Sequence, residues 1–336
     1  MSTAFLRPAL ARPALASGFH SSPFASVADK IDGTAIAATV RAQVAEDTAA
    51  LKAKYGDDKV PGLAVVLVGA RPDSAKYVSM KKKAAKELGF HSIDHTLDED
   101  TPQAEVERVV AELNADPAVH GILVQLPMPD HINQKEVLEA ISADKDVDGF
   151  HPMNAGMLVR VGEELRQAKQ PFDLANLQNT ACTPVGCVEL LDQMGVELSG
   201  KKVVVLGRSN IVGLPVALLL MHRNATVTVC HSRTENLPDV CREADVLVAA
   251  IGWGEFVKGD WVKPGAVVID VGVNFVDDDT RKSGRRMCGD VDYKAAREHA
   301  SAITPVPGGV GPMTIAMLMR NTLINARVTF EAEAGN

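Results

Sequence analysis

Four polar side chains in the first half of the chain could share one reaction. Tyr77 and Lys81 stand four residues apart in Asp73-Ser-Ala-Lys-Tyr77-Val-Ser-Met-Lys81, so on a helix they project from one face. A tyrosine so placed can stack on a flat ring, and the lysine beside it can deliver or accept a proton. Gln125 lies near the end of the apolar run Val119 to Leu126. Asp148 sits in the polar turn Asp144-Lys-Asp146-Val-Asp148-Gly149-Phe150. Taken singly, each also suits a plain role: Tyr77 half-buried, Lys81 solvated, Gln125 tying down a loop, Asp148 making an Asx-turn.

Two further stretches are shaped for a ligand through their backbone. Val203 to Leu206 is a short β-branched run that breaks at Gly207-Arg-Ser-Asn-Ile-Val-Gly213, after which Pro215 and a run of Val, Ala and Leu read as a helix. Strand, tight turn and helix in that order place free N–H groups where a phosphate can sit. Ser209 stands where the usual dinucleotide fingerprint has its second glycine, so the turn alone also fits a plain βαβ unit. The next strand, Ala225 to Cys230, ends in His231-Ser232-Arg233-Thr234 without an acid. Hydroxyls and a guanidinium suit a 2′-phosphate that a carboxylate would repel, which favours NADP over NAD. Pro305-Val-Pro307-Gly308-Gly309-Val310-Gly311-Pro312 packs three glycines and three prolines into eight residues. It reads either as a backbone made for close approach to a ligand or as a rigid loop.

The elements that would carry these groups follow from pattern. Residues 29–56 read as an amphipathic helix, Leu63 to Val68 as a buried strand, and Asp73 onward as a helix. Strands are expected over 90–97 and 119–126, with helices over 101–114 and 134–141. The turn at 144–150 marks a domain boundary. Arg160 to Asn179 reads as an exposed loop. A helix follows from Thr183 to Met194, strands over 245–251 and 266–271, and a final helix from Ile315 to about Val328. The expected class is α/β, with an N-terminal unit over 29–150 and a Rossmann-type doubly wound sheet over 151–304.

The formal net charge of −8 and the absence of a basic block argue against a general nucleic-acid binder. Five cysteines at 182, 187, 230, 241 and 288 form no CxxC pair, which suggests free thiols. No uninterrupted apolar run is long enough for a membrane span, and no metal site is expected. Residues 1–28 contain Arg7, Arg12 and many Ser and Ala, with no acid before Asp29. Such a segment reads as a targeting peptide, mitochondrial in preference to plastid, or alternatively as a disordered tail.

The stretches DSAKYVSMK (73–81), VQLPMP (124–129), KDVDGF (145–150), CTPVG (182–186), GRSNIVGLP (207–215), CHSRT (230–234), VIDVGVN (268–274) and PVPGGVGPMT (305–314) together resemble one family. It is the bifunctional methylenetetrahydrofolate dehydrogenase/methenyltetrahydrofolate cyclohydrolase family, matched from about Ile31 to about Asn325. The resemblance implies an active cleft between two domains, with a last helix over 314–330 returning to the N-terminal one. It also implies NADP-dependent oxidation of 5,10-methylenetetrahydrofolate, hydrolysis of the product to 10-formyltetrahydrofolate, and a homodimer. By position, substrate contacts fall on Tyr77, Val78, Ser79, Met80, Lys81, Val124, Gln125, Leu126, Asp148, Pro307, Gly308, Gly309, Val310 and Gly311. Tyr77 would lie against the folate rings, Asp148 would bind the pterin N–H edge, and Lys81 with Gln125 would serve hydrolysis. Cofactor contacts fall on Gly207, Arg208, Ser209, Ser232 and Val273, beside Arg233 from the residue-level reading. Two departures stand out: Arg160 to Asn179 is longer than the usual connection, and Ala181 replaces a proline, so no ligand contact is placed there. A shikimate-type NADP dehydrogenase and a non-catalytic NADP/folate-binding protein are the alternatives.

Overall fold

A computed structural model describes residues 27–168, 170, 172–174 and 177–335. Most of the expected targeting segment, residues 1–26, lies outside the described residues. In chain order the first half contains strand β1 (Asp29–Lys30), helix α1 (Gly33–Tyr55), β2 (Gly62–Val68), α2 (Pro72–Glu87), β3 (His91–Leu97), α3 (Gln103–Ala115), β4 (Gly121–Val124), α4 (Gln134–Glu139) and α5 (Pro152–Gln167). Strands β3, β2 and β4 form a three-stranded parallel sheet in that order. All seven residues of β2 are buried, as expected for a central strand covered on both faces.

The second half runs α6 (Cys182–Gln193), β5 (Lys202–Leu206), α7 (Gly213–His222), β6 (Thr226–Cys230), α8 (Leu237–Arg242), β7 (Val246–Ala249), β8 (Val267–Asp270), β9 (Asn274–Asp277), β10 (Arg285–Cys288), α9 (Tyr293–Ala296), β11 (Ala302–Ile303) and α10 (Val310–Ala334). The main sheet has the order β1-β11-β8-β7-β5-β6, and every pairing is parallel. Strand order reverses between β5 and β7, which opens the crevice of a doubly wound sheet at their C-terminal ends. The two α/β units of the expected fold class are therefore present.

Helix α10 joins them. Its residues Val310, Met313, Ile315 to Met319, Leu323, Ala326 and Phe330 are buried in the core, and it packs against α1, α6 and α2. Glycines allow this approach: a Cβ on Gly33 would collide with the Gly309 carbonyl, and one on Gly186 would press on Met313.

Three expectations are corrected. The stretch from Arg160 is not an exposed loop, because α5 continues to Gln167 and Phe172, Leu174, Leu177 and Asn179 are buried. His151 caps α5 and Pro152 opens it, and Leu158, Gly162 and Leu165 face inward, Gly162 leaving room for His222. Asp29–Lys30 does not start the N-terminal unit: it pairs with β11 in the C-terminal sheet. The last helix begins at Val310, so part of the 305–314 stretch is helical. The antiparallel hairpin β9–β10 is an addition. No helix among the described residues is long and apolar enough to cross a membrane.

Candidate active site

Lys81 lies on the buried side of α2 and is only 8% exposed. Its Nζ donates to Gln125 Oε1 at 3.0 Å. Gln125 follows β4, where its own N–H continues the sheet by donating to Val66 O, and its Nε2 donates to Leu126 O at 2.7 Å. The amide is thereby oriented with its oxygen toward the lysine. The solvated role open to Lys81 in the sequence does not survive, since a lysine this buried needs a partner. Tyr77, one turn earlier on α2, is exposed, as are Ser79 and Met80. Val78 and Val124 point into the core, so neither side chain is available to a ligand.

Asp148 is half-buried and makes no hydrogen bond with any described residue. It is not the Asx-turn residue of its loop. That role falls to buried Asp146, whose Oδ1 accepts from Gly149 N at 3.2 Å and whose Oδ2 accepts from His151 N at 2.8 Å and Asn154 Nδ2 at 2.9 Å. Lys145 fastens the other side, donating to the carbonyls of Leu113, Asn114 and Asp116 at the end of α3. A parallel bridge between Ile122 and Asp146 sets this loop beside β4, so Asp148 emerges near Gln125. Burial pushes the Asp148 carboxyl up to about 6, with the neighbouring Lys81 charge opposing the rise and Asp146 adding to it.

The site is closed by the starts of α6 and α10, where Thr183 Oγ1 and Thr314 Oγ1 are hydrogen-bonded at 3.0 Å. Cys182, at the first position of α6, is buried, and its thiol is pushed well up by burial and by Asp148. In the 305–311 stretch, Pro307 and Gly311 are exposed and Gly308 takes φ +103°, a conformation that favours glycine. Gly309 is buried between Gly33 and Thr304, and the Val310 side chain is core. Leu126 is half-buried.

The cofactor crevice is built where β5 and β7 diverge. Gly207 has φ +107°, and a Cβ there would strike the Ala250 carbonyl; one on Gly213 would strike Gly207. Ser209 Oγ accepts from Val212 N and Gly213 N at 3.2 and 3.3 Å, tying the turn to the start of α7 and leaving its O–H as a donor. Arg208, Ser232, Arg233 and Val273 are exposed on the loops after β5, β6 and β8. Neither guanidinium pairs with a described residue. A glycine cradle at a helix start, with two arginines on adjacent loops that pair with no described residue, fits a dinucleotide carrying a 2′-phosphate.

Two positioning groups went unnoticed in the sequence. Asp290 is fully buried, and its carboxylate accepts from Ile251 N (2.7 Å), Gly252 N (3.0 Å), Trp253 N (2.9 Å) and Asn274 Nδ2 (2.9 Å). It thus fixes the loops after β7 and β8 together. Asp270, at the end of β8, accepts from Gly272, Asp290 and Val291 N–H groups. Burial and the Asp290 charge push it up to about 7 against those hydrogen bonds. The signal was an acid closing an apolar strand inside VIDVGVN, a pattern that costs free energy unless the carboxylate is satisfied.

The chain matches two family models: the catalytic domain of tetrahydrofolate dehydrogenase/cyclohydrolase over residues 31–148, and the NAD(P)-binding domain of the same family over 181–330. It is 54% identical over 300 residues to bifunctional protein FolD 2 of Arabidopsis thaliana, covering 89% of this chain and 96% of that one. It is 50% identical to chloroplastic FolD 4 of the same plant, covering 88% and 79%. Among solved structures, the Trypanosoma brucei methylenetetrahydrofolate dehydrogenase-cyclohydrolase, complexed with NADP and an inhibitor, superposes with a TM-score of 0.81 at 41% identity over 92% of this chain and 99% of that one. The Campylobacter jejuni enzyme gives 0.79 at 42% identity, covering 89% and 98%. With both domains matched and the catalytic stretches in place, the chain belongs to the FolD-type methylenetetrahydrofolate dehydrogenase/cyclohydrolase family.

Proposed function

We propose that this chain oxidises 5,10-methylenetetrahydrofolate with NADP and hydrolyses the resulting methenyl cation to 10-formyltetrahydrofolate in one cleft. The observation that carries this reading is the buried Lys81–Gln125 pair beside an Asp148 carboxyl that no described residue hydrogen-bonds. Family membership removes the shikimate-type alternative. An intact set of reacting groups removes the reason to read the chain as a non-catalytic binder.

In the first step the protein aligns. Asp148 offers its carboxylate to the N–H edge of the pterin, Tyr77 offers its ring to the folate face, and the Gly207–Gly213 cradle holds the dinucleotide phosphates. The chemistry NADP supplies when bound is acceptance of a hydride from the one-carbon bridge. No protein group exchanges a proton in that step. Opening of the methenyl cation differs: water adds its oxygen to the bridge carbon and loses both protons, one passing to a ring nitrogen as the carbon–nitrogen bond breaks and the other leaving to solvent with the cation's charge. Lys81 is the group placed to relay the first of these protons: its amine accepts it from the attacking water and returns it to the nitrogen. Gln125 holds that amine in line.

Arg208 and Arg233, with the Ser232 hydroxyl, are assigned to the 2′-phosphate. Residues 1 to about 28 are proposed to direct import into mitochondria, supported by their acid-free, Arg- and Ser-bearing composition. The chain is also proposed to act as a homodimer, which the family resemblance supports and sedimentation would test. Following NADPH absorbance with purified protein, methylenetetrahydrofolate and NADP tests the main reading. Absence of NADPH formation would overturn it.

A further inference from the structure

The Asp148 loop is held from an unexpected direction. Asn321 lies on α10, buried, 174 residues along the chain from the carbonyl it meets. Its Nδ2 donates to Val147 O at 2.9 Å and to Thr180 O at 3.0 Å, and it stands 3.6 Å from Cys182 Sγ. The Cys182 thiol donates to the same Val147 carbonyl at 3.2 Å, so both lone pairs of that oxygen are engaged. Val147 C=O belongs to the peptide that leads into Asp148, and fixing its plane fixes where the Asp148 backbone begins. The Val147 side chain is locked as well, lying where a Cβ on Gly121 would collide with it. Thr180 O, the other acceptor, precedes the start of α6. One primary amide therefore ties the loop that bears Asp148 to the helix start that closes the site, with α10 as the common support.

We infer that Asn321 is a positioning residue for the folate site, setting the Asp148 carboxylate against α6 and Lys81 through the Val147 peptide. This rests on the proposed assignment of Asp148 to the pterin edge. The geometry is economical in one respect: both N–H bonds of the amide are used on backbone carbonyls, so no other uncharged side chain of similar size reproduces the pair. An alanine leaves the buried Thr180 carbonyl without this donor and the Val147 carbonyl held by the Cys182 thiol alone, and an aspartate faces both with like partial charge. Neither change touches the cofactor crevice, whose loops are organised by Asp290 and Asp270 on the other side of the sheet order.

The test compares wild type with Asn321→Ala and Asn321→Ser, the serine retaining one donor should the alanine variant fold poorly. KM for methylenetetrahydrofolate is expected to rise about tenfold or more in the alanine variant and less in the serine variant, with KM for NADP unchanged. Amide hydrogen exchange across 145–151 is expected to accelerate in the same order, a readout that does not depend on turnover. Unchanged folate KM with unchanged exchange would overturn the inference, as would equal rises in both KM values, which would mark a general loss of structure. Should wild type itself fail to reduce NADP, the functional reading falls. In that case faster exchange in the variants would retain Asn321 as the anchor of the loop, and unchanged exchange would remove it.

Discussion

Lys81 Nζ and Gln125 Oε1 meet at 3.0 Å although they are 44 residues apart, one on α2 and the other just beyond β4. The contact exists because β2 and β4 are neighbours in a parallel sheet and α2 returns over them, which brings helix face and strand end to one edge. A buried ammonium is costly without a partner, and the Gln125 amide oxygen supplies one.

Asp148 should report itself through pH. Its carboxyl is raised from an ordinary 3.8 to about 6, so the folded chain keeps a proton that the unfolded chain releases. Stability attributable to this group is therefore greatest below about pH 4 and falls as pH rises toward and through 6. Asp148→Asn, which mimics the protonated form, should match wild type in Tm near pH 4 and exceed it above pH 6, while losing folate binding. Calorimetry over that range checks the sign; a variant less stable than wild type at neutral pH would contradict it.

Cofactor choice should reside in the exposed arginines. Charge-assisted hydrogen bonds are worth roughly 1.5–3 kcal/mol, so Arg233→Ala should lower kcat/KM for NADP by about tenfold to a hundredfold. The value for NAD should not change, because NAD carries no 2′-phosphate. Steady-state kinetics with both cofactors decides this, and an equal fall for both would place Arg233 elsewhere.

Asp290 should be a stability residue as much as a cofactor one. Asp290→Ala leaves three backbone N–H groups and the Asn274 amide short of their acceptor in a buried place. The expected loss is about 3 kcal/mol or more of unfolding free energy, accompanied by a higher KM for NADP. Urea titration would show it as a lower midpoint; a change under about 0.5 kcal/mol, as for an ordinary surface substitution, would contradict the role.

Strands β2, β5, β7 and β8 were legible because each is a continuous apolar run, the mark of a strand covered on both faces. Tyr77, Lys81, Gln125 and Asp148 were legible as chemistry, and the resemblance gathered them. Helix α5 was not, because one of its packing positions is Gly162, which a pattern reads as a break while the fold uses it to admit His222. Asp290 was invisible for a different reason: its partners lie 16 to 39 residues away, on loops whose proximity only the sheet order creates. Asp146 and Asp148 look alike in the sequence, and only hydrogen bonding separates the residue that shapes the turn from the one left for a ligand.

The division of labour inside the cleft is tested most directly by Lys81→Met, assayed as purified protein for both reactions. Removing a general acid–base group costs roughly 10²–10⁴-fold in the step that uses it. The expected result is cyclohydrolase activity reduced by about that factor, with a measurable dehydrogenase rate sustained by Tyr77, Asp148 and the dinucleotide cradle. Retained cyclohydrolase activity would contradict the account, and equal loss of both activities would make Lys81 a substrate-positioning group instead of the one that moves the proton.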